Sequence, residues 1–109
     1  MGLAGVDMES NDFLQMSGQK VALVLDAKDN VAVVLADVVT GDRCIIRGRG
    51  EDYELEAIQN VAFGHKLALT VLEKDDPIYK YGEVIGVATE NILPGCWIHS
   101  HNLYCARGM

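Results

Sequence analysis

The chain has 109 residues, half of them hydrophobic, and carries 16 acidic against 9 basic side chains for a formal net charge of −7. That length builds one domain rather than two. The nine scattered Lys and Arg exclude a nucleic-acid footprint, which needs a clustered basic face, and no apolar run approaches the roughly 18 residues of a membrane-spanning helix.

Residues 1–18 mix Gly, Ser, Asn and acidic side chains without periodicity and read as a flexible N-terminal arm, with no signal-peptide pattern. From residue 19 onward, short Val-, Ile- and Leu-rich runs alternate with turn signals every eight to twelve residues, the pattern of a small all-β domain spanning 19–109. The predicted strands are Lys20 to Leu25, Asn30 to Ala36, Arg43 to Arg47, Tyr53 to Ile58, Lys66 to Thr70, Val84 to Ala88 and Cys96 to Asn102. Within the fourth, strict alternation turns Tyr53, Leu55 and Ala57 inward and leaves Glu54 and Glu56 in water. Asp75-Asp76-Pro77 reads as a surface turn, and Lys80-Tyr81-Gly82-Glu83 places polar side chains beside a turn glycine, a sequence common in hairpins. An echo links residues 36–45 to residues 89–98: each has an apolar pair, one further residue, a glycine and a return to strand.

Cys44, Cys96 and Cys105 are odd in number, far apart and without a C-x-x-C pair, so neither a disulfide framework nor a thiolate zinc cage is indicated. Reduced thiols fit a cytoplasmic address. A core this small shapes a deep cleft poorly by itself, which predicts a partner surface, whether a larger chain or further copies of this one.

The residues suited to chemistry are the histidines. His99 and His101 lie two apart in the last predicted strand, so an extended chain projects both imidazoles, and Trp97, from one face, with the imidazoles roughly 7 Å apart. Such a pair either shares a divalent metal with ligands from elsewhere or divides proton transfer and substrate binding between its members. His65 follows Gly64 and precedes Lys66, an arrangement suited to receiving an anionic carboxylate. Lys80 and Tyr81 stand beside a turn glycine, where a substrate is readily met.

Taken together, Asp29-Asn30-Val31-Ala32-Val33, Gly64-His65-Lys66-Leu67-Ala68-Leu69, the block from Ile78 to Thr89 and the block from Ile92 to Leu103 resemble, in order, the N-terminal SAF domain of altronate and galactarate dehydratases. The small subunit of sulfolactate sulfo-lyase is similar. The resemblance runs from about Lys20 to Arg107, with departures at Cys96, Trp97 and Ser100. It implies a β-clip fold and a hydro-lyase that removes water from a sugar acid. It also implies a larger partner domain or subunit, which holds the divalent iron or manganese requirement. On that basis His99 and His101 are expected to be catalytic, and His65, Lys66, Lys80, Tyr81 and Asn102 to bind substrate. SAF domains also resemble modules that bind sugars or proteins without catalysis, so a non-catalytic module is the competing expectation.

Overall fold

The computed structural model describes residues 19–105; the predicted arm over residues 1–18 lies outside them. Nine strands and no helix occur among the described residues: β1 (Gln19–Leu23), β2 (Val31–Val34), β3 (Arg43–Arg47), β4 (Tyr53–Glu56), β5 (Lys66–Ala68), β6 (Pro77–Lys80), β7 (Glu83–Ala88), β8 (Trp97–Ile98) and β9 (Leu103–Tyr104). A six-stranded sheet has the order β4-β3-β1-β2-β5-β8 and a three-stranded sheet the order β6-β7-β9. β1 and β3 pair in parallel and the other neighbours antiparallel. The all-β expectation holds, and no described helix is long and apolar enough to cross a membrane.

Two apolar cores stand on either side of β2 and β5. Ala32, Val34 and Leu67 enter one, with Ala22, Val38, Ile46 and Val61. Val31 and Ala68 enter the other, with Leu72, Ile78, Ala88, Ile92 and Ile98. Successive strand residues point to opposite faces, so a strand between two cores must be apolar throughout, as Val31-Ala32-Val33-Val34 is.

Four corners of one design close these cores. Each runs from a buried apolar residue (Val38, Val61, Leu72 or Ile92) to a left-handed residue three positions later: Gly41, Gly64, Asp75 or Gly95, at φ 95, 84, 77 and 88°. The buried residues bridge in pairs, Val38 with Val61 and Leu72 with Ile92. Each left-handed residue donates its N–H to a carbonyl of the segment leading into the paired corner: Gly41 to Ala57, Gly64 to Val34, Asp75 to Ala88 and Gly95 to Ala68. Side chains brace the same turns. Asn60 Oδ1 accepts from Thr40 N, Asp37 Oδ1 from Phe63 N and Asn91 Oδ1 from Lys74 N. At the fourth corner the corresponding position is Pro94, which has no N–H, and the residue opposite it is Val71, which has no side-chain acceptor. The sequence echo is therefore two members of a set of four. Of the other two, Val61-Ala62-Phe63-Gly64 repeats the same residue types, while Leu72-Glu73-Lys74-Asp75 shares only the turn geometry, with an aspartate in place of the glycine.

Gly95 and Gly41 separate two costs. A Cβ at either pays about 1–2 kcal/mol for its left-handed backbone, but at Gly41 it meets nothing within 4 Å, whereas at Gly95 it collides with the Glu56 carbonyl. We expect Gly95→Ala to lower the stability measured by urea unfolding by about 2 kcal/mol more than Gly41→Ala. Equal losses would show that the corner yields to the added methyl.

The structure corrects the strand readings in three places. The segment Cys96 to Asn102 is not one strand: β8 ends at Ile98, and residues 99–102 form a turn closed by Asn102 N to His99 O at 3.1 Å. The cause is the Asn102 side chain, 3% exposed, whose Oδ1 accepts from His99 N and whose Nδ2 donates to Trp97 O, both at 2.9 Å. These local bonds replace ladder bonds and send the chain from the first sheet to β9 in the second. Tyr53, predicted to face inward, is 39% exposed and Leu55 only half-buried, because β4 is the sheet edge; Ala57 is buried and both glutamates are exposed as expected. β6 and β9 were not anticipated. Pro77 masks the first, and only its opening position in the strand tolerates the missing donor.

Candidate functional site

The turn at 99–102 faces the corner that carries His65, because β8 pairs with β5 in the register Leu67 to Trp97 and Lys66 to Ile98. Although His99 and His101 are not on a strand, their rings meet those of His65 and Trp97. The His65 and His99 rings stack at 4.8 Å, Trp97 and His99 stack at 5.3 Å, and Trp97 lies 4.7 Å from His101 and 5.9 Å from His65. His65 and Trp97 are half-buried, while His99 and His101 are exposed. Trp97 is anchored by its backbone at both polar groups: its N–H donates to Gln59 Oε1 and its carbonyl accepts from Asn102 Nδ2.

Positive charge gathers around these rings in an otherwise acidic chain. Lys66 is half-buried, and its amine is held below the usual lysine value, first by loss of solvation and then by repulsion from Lys80; Cys105 acts in the opposite direction. The His99 imidazole is likewise lowered, first by desolvation against its neighbours and then by His65, Lys66 and His101. The ion pairs among the described residues are Lys20 with Asp42, Arg43 with Glu54 and Arg47 with Asp52, and none involves Lys66 or Lys80. An unneutralised group of cations and imidazoles is suited to an anion.

The β6–β7 hairpin contributes the rest. Tyr81 and Gly82 both take left-handed backbone, φ 59 and 78°, the geometry of a two-residue type I′ turn. A tyrosine there is uncommon. Its ring is 60% exposed, and Lys80 Nζ lies 5.0 Å from its centroid. Tyr81 thus joins the group through Lys80 rather than by touching the imidazoles. Asn102 lies beneath the group and spends its amide on the backbone at Trp97 and His99.

The expected site residues do not include Asp29, which entered the sequence reading within the block Asp29 to Val33. This carboxylate is 1% exposed, and both its oxygens accept backbone N–H groups: Oδ2 from Leu25 at 3.3 Å and Tyr81 at 3.1 Å, Oδ1 from Gly82 at 2.8 Å. Asn30 beside it accepts from Tyr79 N and donates to Pro77 O. The Asp29-Asn30 pair therefore fastens the hairpin bearing Lys80 and Tyr81 to the first sheet. The signal for it was a polar pair directly before an unbroken apolar strand.

The described residues do not by themselves make a complete metal centre. The described residues contain no group of three or more His, Cys, Asp or Glu arranged to hold a metal. Stacked face to face, His65 and His99 keep their in-plane lone pairs in separate, nearly parallel planes instead of aiming them at one point. The three cysteines are free, Cys44 buried and the others half-buried. An open groove of about 410 Å³, lined by Asp37, Val38, Val39, Asn60, Val61 and Ala62, runs up to Trp97 and so borders the imidazole group.

Comparison with known proteins matches residues 20–106 to the family described as the altronate/galactarate dehydratase SAF domain. Altronate dehydratase of Escherichia coli (strain K12) is 40% identical over 78 residues, covering 72% of this chain and 15% of that protein. The (2R)-sulfolactate sulfo-lyase subunit alpha of Paracoccus pantotrophus is 34% identical over 64 residues, 59% of this chain and 96% of that subunit. Galactarate dehydratase (L-threo-forming) of Escherichia coli (strain K12) is 37% identical over 70 residues, 64% of this chain and 12% of that protein. The chain thus spans a small fraction of the dehydratases and nearly all of the sulfo-lyase subunit. With its curled all-β architecture and a match over most of its length, the chain belongs to the altronate/galactarate dehydratase SAF domain family.

Proposed function

We propose that this chain is the small domain or subunit of a hydro-lyase that dehydrates a sugar acid of the altronate or galactarate kind, supplying imidazoles to a site completed by a larger part. The observation that carries the reading is the convergence of His65, His99 and His101 beside Lys66, in a chain whose net charge is −7.

Loss of water from a 2,3-dihydroxy acid removes the proton on the carbon beside the carboxylate, stabilises the resulting enediolate and protonates the departing 3-hydroxyl. His99, kept neutral by its surroundings, takes the carbon-bound proton. His101, as the general acid, gives a proton to the hydroxyl, which leaves as water; the enol that remains tautomerises to the 2-keto acid. His65, Lys66 and Lys80 hold the anionic end and offset the developing negative charge, with Tyr81 beside Lys80. Asn102 acts indirectly by fixing the backbone of His99. Divalent iron or manganese, held in this reading by the larger part, would supply Lewis-acid polarisation of the carboxylate. Free thiols fit a cytoplasmic setting.

The test is co-expression with the larger chain, purification, and assay of each component alone and both together on altronate, galactarate and sulfolactate. Activity with one of these acids that requires both components is expected. Full activity of the larger chain alone would remove this chain from the chemistry. That outcome would favour the second reading, a non-catalytic interaction module, for which the apolar groove beside Trp97 is the supporting observation.

A further inference from the structure

We propose that Trp97 is a positioning residue that fixes His65 in one tautomer and makes it an outward hydrogen-bond donor. The indole Nε1–H lies 3.1 Å from His65 Nδ1. An indole nitrogen donates and never accepts, so Nδ1 must present its lone pair, and the proton of the neutral ring sits on Nε2. The free polar edge of His65 is then a donor, suited to a carboxylate or hydroxyl oxygen of a sugar acid and unsuited to taking a proton from carbon.

Both ends of this bond are held by backbone. Trp97 is pinned by Gln59 and Asn102 and by its register opposite Leu67. His65 closes the turn after Gly64, its N–H on Ala62 O at 2.9 Å and its carbonyl accepting from Val34 N. The geometry therefore separates the roles of two stacked rings: His65 binds through Nε2–H, while His99, against its face, is left for proton transfer. What the donor binds rests on the dehydratase reading; the tautomer itself does not.

Nitrogen NMR of the full chain, labelled at histidine and tryptophan, tests the assignment at a pH where His65 is neutral. The expected spectrum has an unprotonated His65 Nδ1 and a coupling across the hydrogen bond to the Trp97 indole nitrogen. Trp97→Phe, which keeps an aromatic ring but loses the donor, is expected to abolish the coupling and raise the Nδ1-protonated fraction severalfold. A His65 Nδ1 that carries the proton in the unaltered chain overturns the proposal, as does the absence of the coupling, and neither observation needs the variant to fold. In the complete enzyme the same variant is expected to raise KM about fivefold with kcat within twofold. An unchanged KM alongside an intact coupling would sink the substrate-binding role of His65 and leave the tautomer assignment standing.

Discussion

His99→Ala and His101→Ala, each placed in the complete two-part enzyme, are expected to lower turnover by about 10²-fold or more, the usual loss of a general acid or base. Both side chains are exposed and their rings rest against other rings of the group, so truncating them removes little buried packing. A large rate loss with unchanged unfolding midpoints therefore reports chemistry. The pH profile gives the direction. Desolvation and the surrounding His65, Lys66 and His101 hold His99 below the ordinary histidine value, so the base form persists to lower pH than for a free imidazole. The acidic limb of kcat/KM is expected below about pH 6.5 and should vanish in His99→Ala. Turnover retained within a few-fold in both variants would make these residues structural.

Asp29→Ala is expected to be among the most destabilising single substitutions in the domain. It leaves the backbone N–H groups of Leu25, Tyr81 and Gly82 without the carboxylate that receives them at a site 1% exposed. Hydrogen bonds to a charged group contribute about 1.5–3 kcal/mol each and a buried orphan donor costs about 1–3 kcal/mol. A net loss of roughly 3 kcal/mol or more follows, which should move the urea midpoint down by more than about 1 M. Because the hairpin bearing Lys80 and Tyr81 is fastened through these bonds, KM for an anionic substrate should also rise in any Asp29 variant that remains folded. Asp29→Asn retains one acceptor oxygen and should fall between the two. An unchanged midpoint for Asp29→Ala would show that solvent or a rearranged turn replaces the carboxylate.

The residues that form the imidazole group were legible as a set, but the reason first given for their meeting was wrong. A period of two along an assumed strand placed His99 and His101 on one face; in the folded chain Asn102 breaks that strand, and the rings gather because the turn it braces lies opposite the corner at Gly64. Asp29 illustrates the complementary failure. Its immediate neighbours mark a turn, and two of its three backbone partners lie more than fifty residues away. The turn at Tyr81-Gly82 was legible, though the strand before it was not, because its information is local: the turn needs two left-handed residues, and glycine supplies one of them.

The amino-acid sequence by itself determined the all-β class, the spacing of the turns and the family, since each depends on apolar runs, turn residues and ordered blocks read along the chain. Only the tertiary structure decided that two sequence echoes were four corners. It also decided that Trp97 meets His65, and that a buried aspartate carries the hairpin. Those outcomes depend on which backbone groups from distant segments are left to pair once two cores close on opposite faces of β2 and β5, and neither periodicity nor composition encodes that pairing.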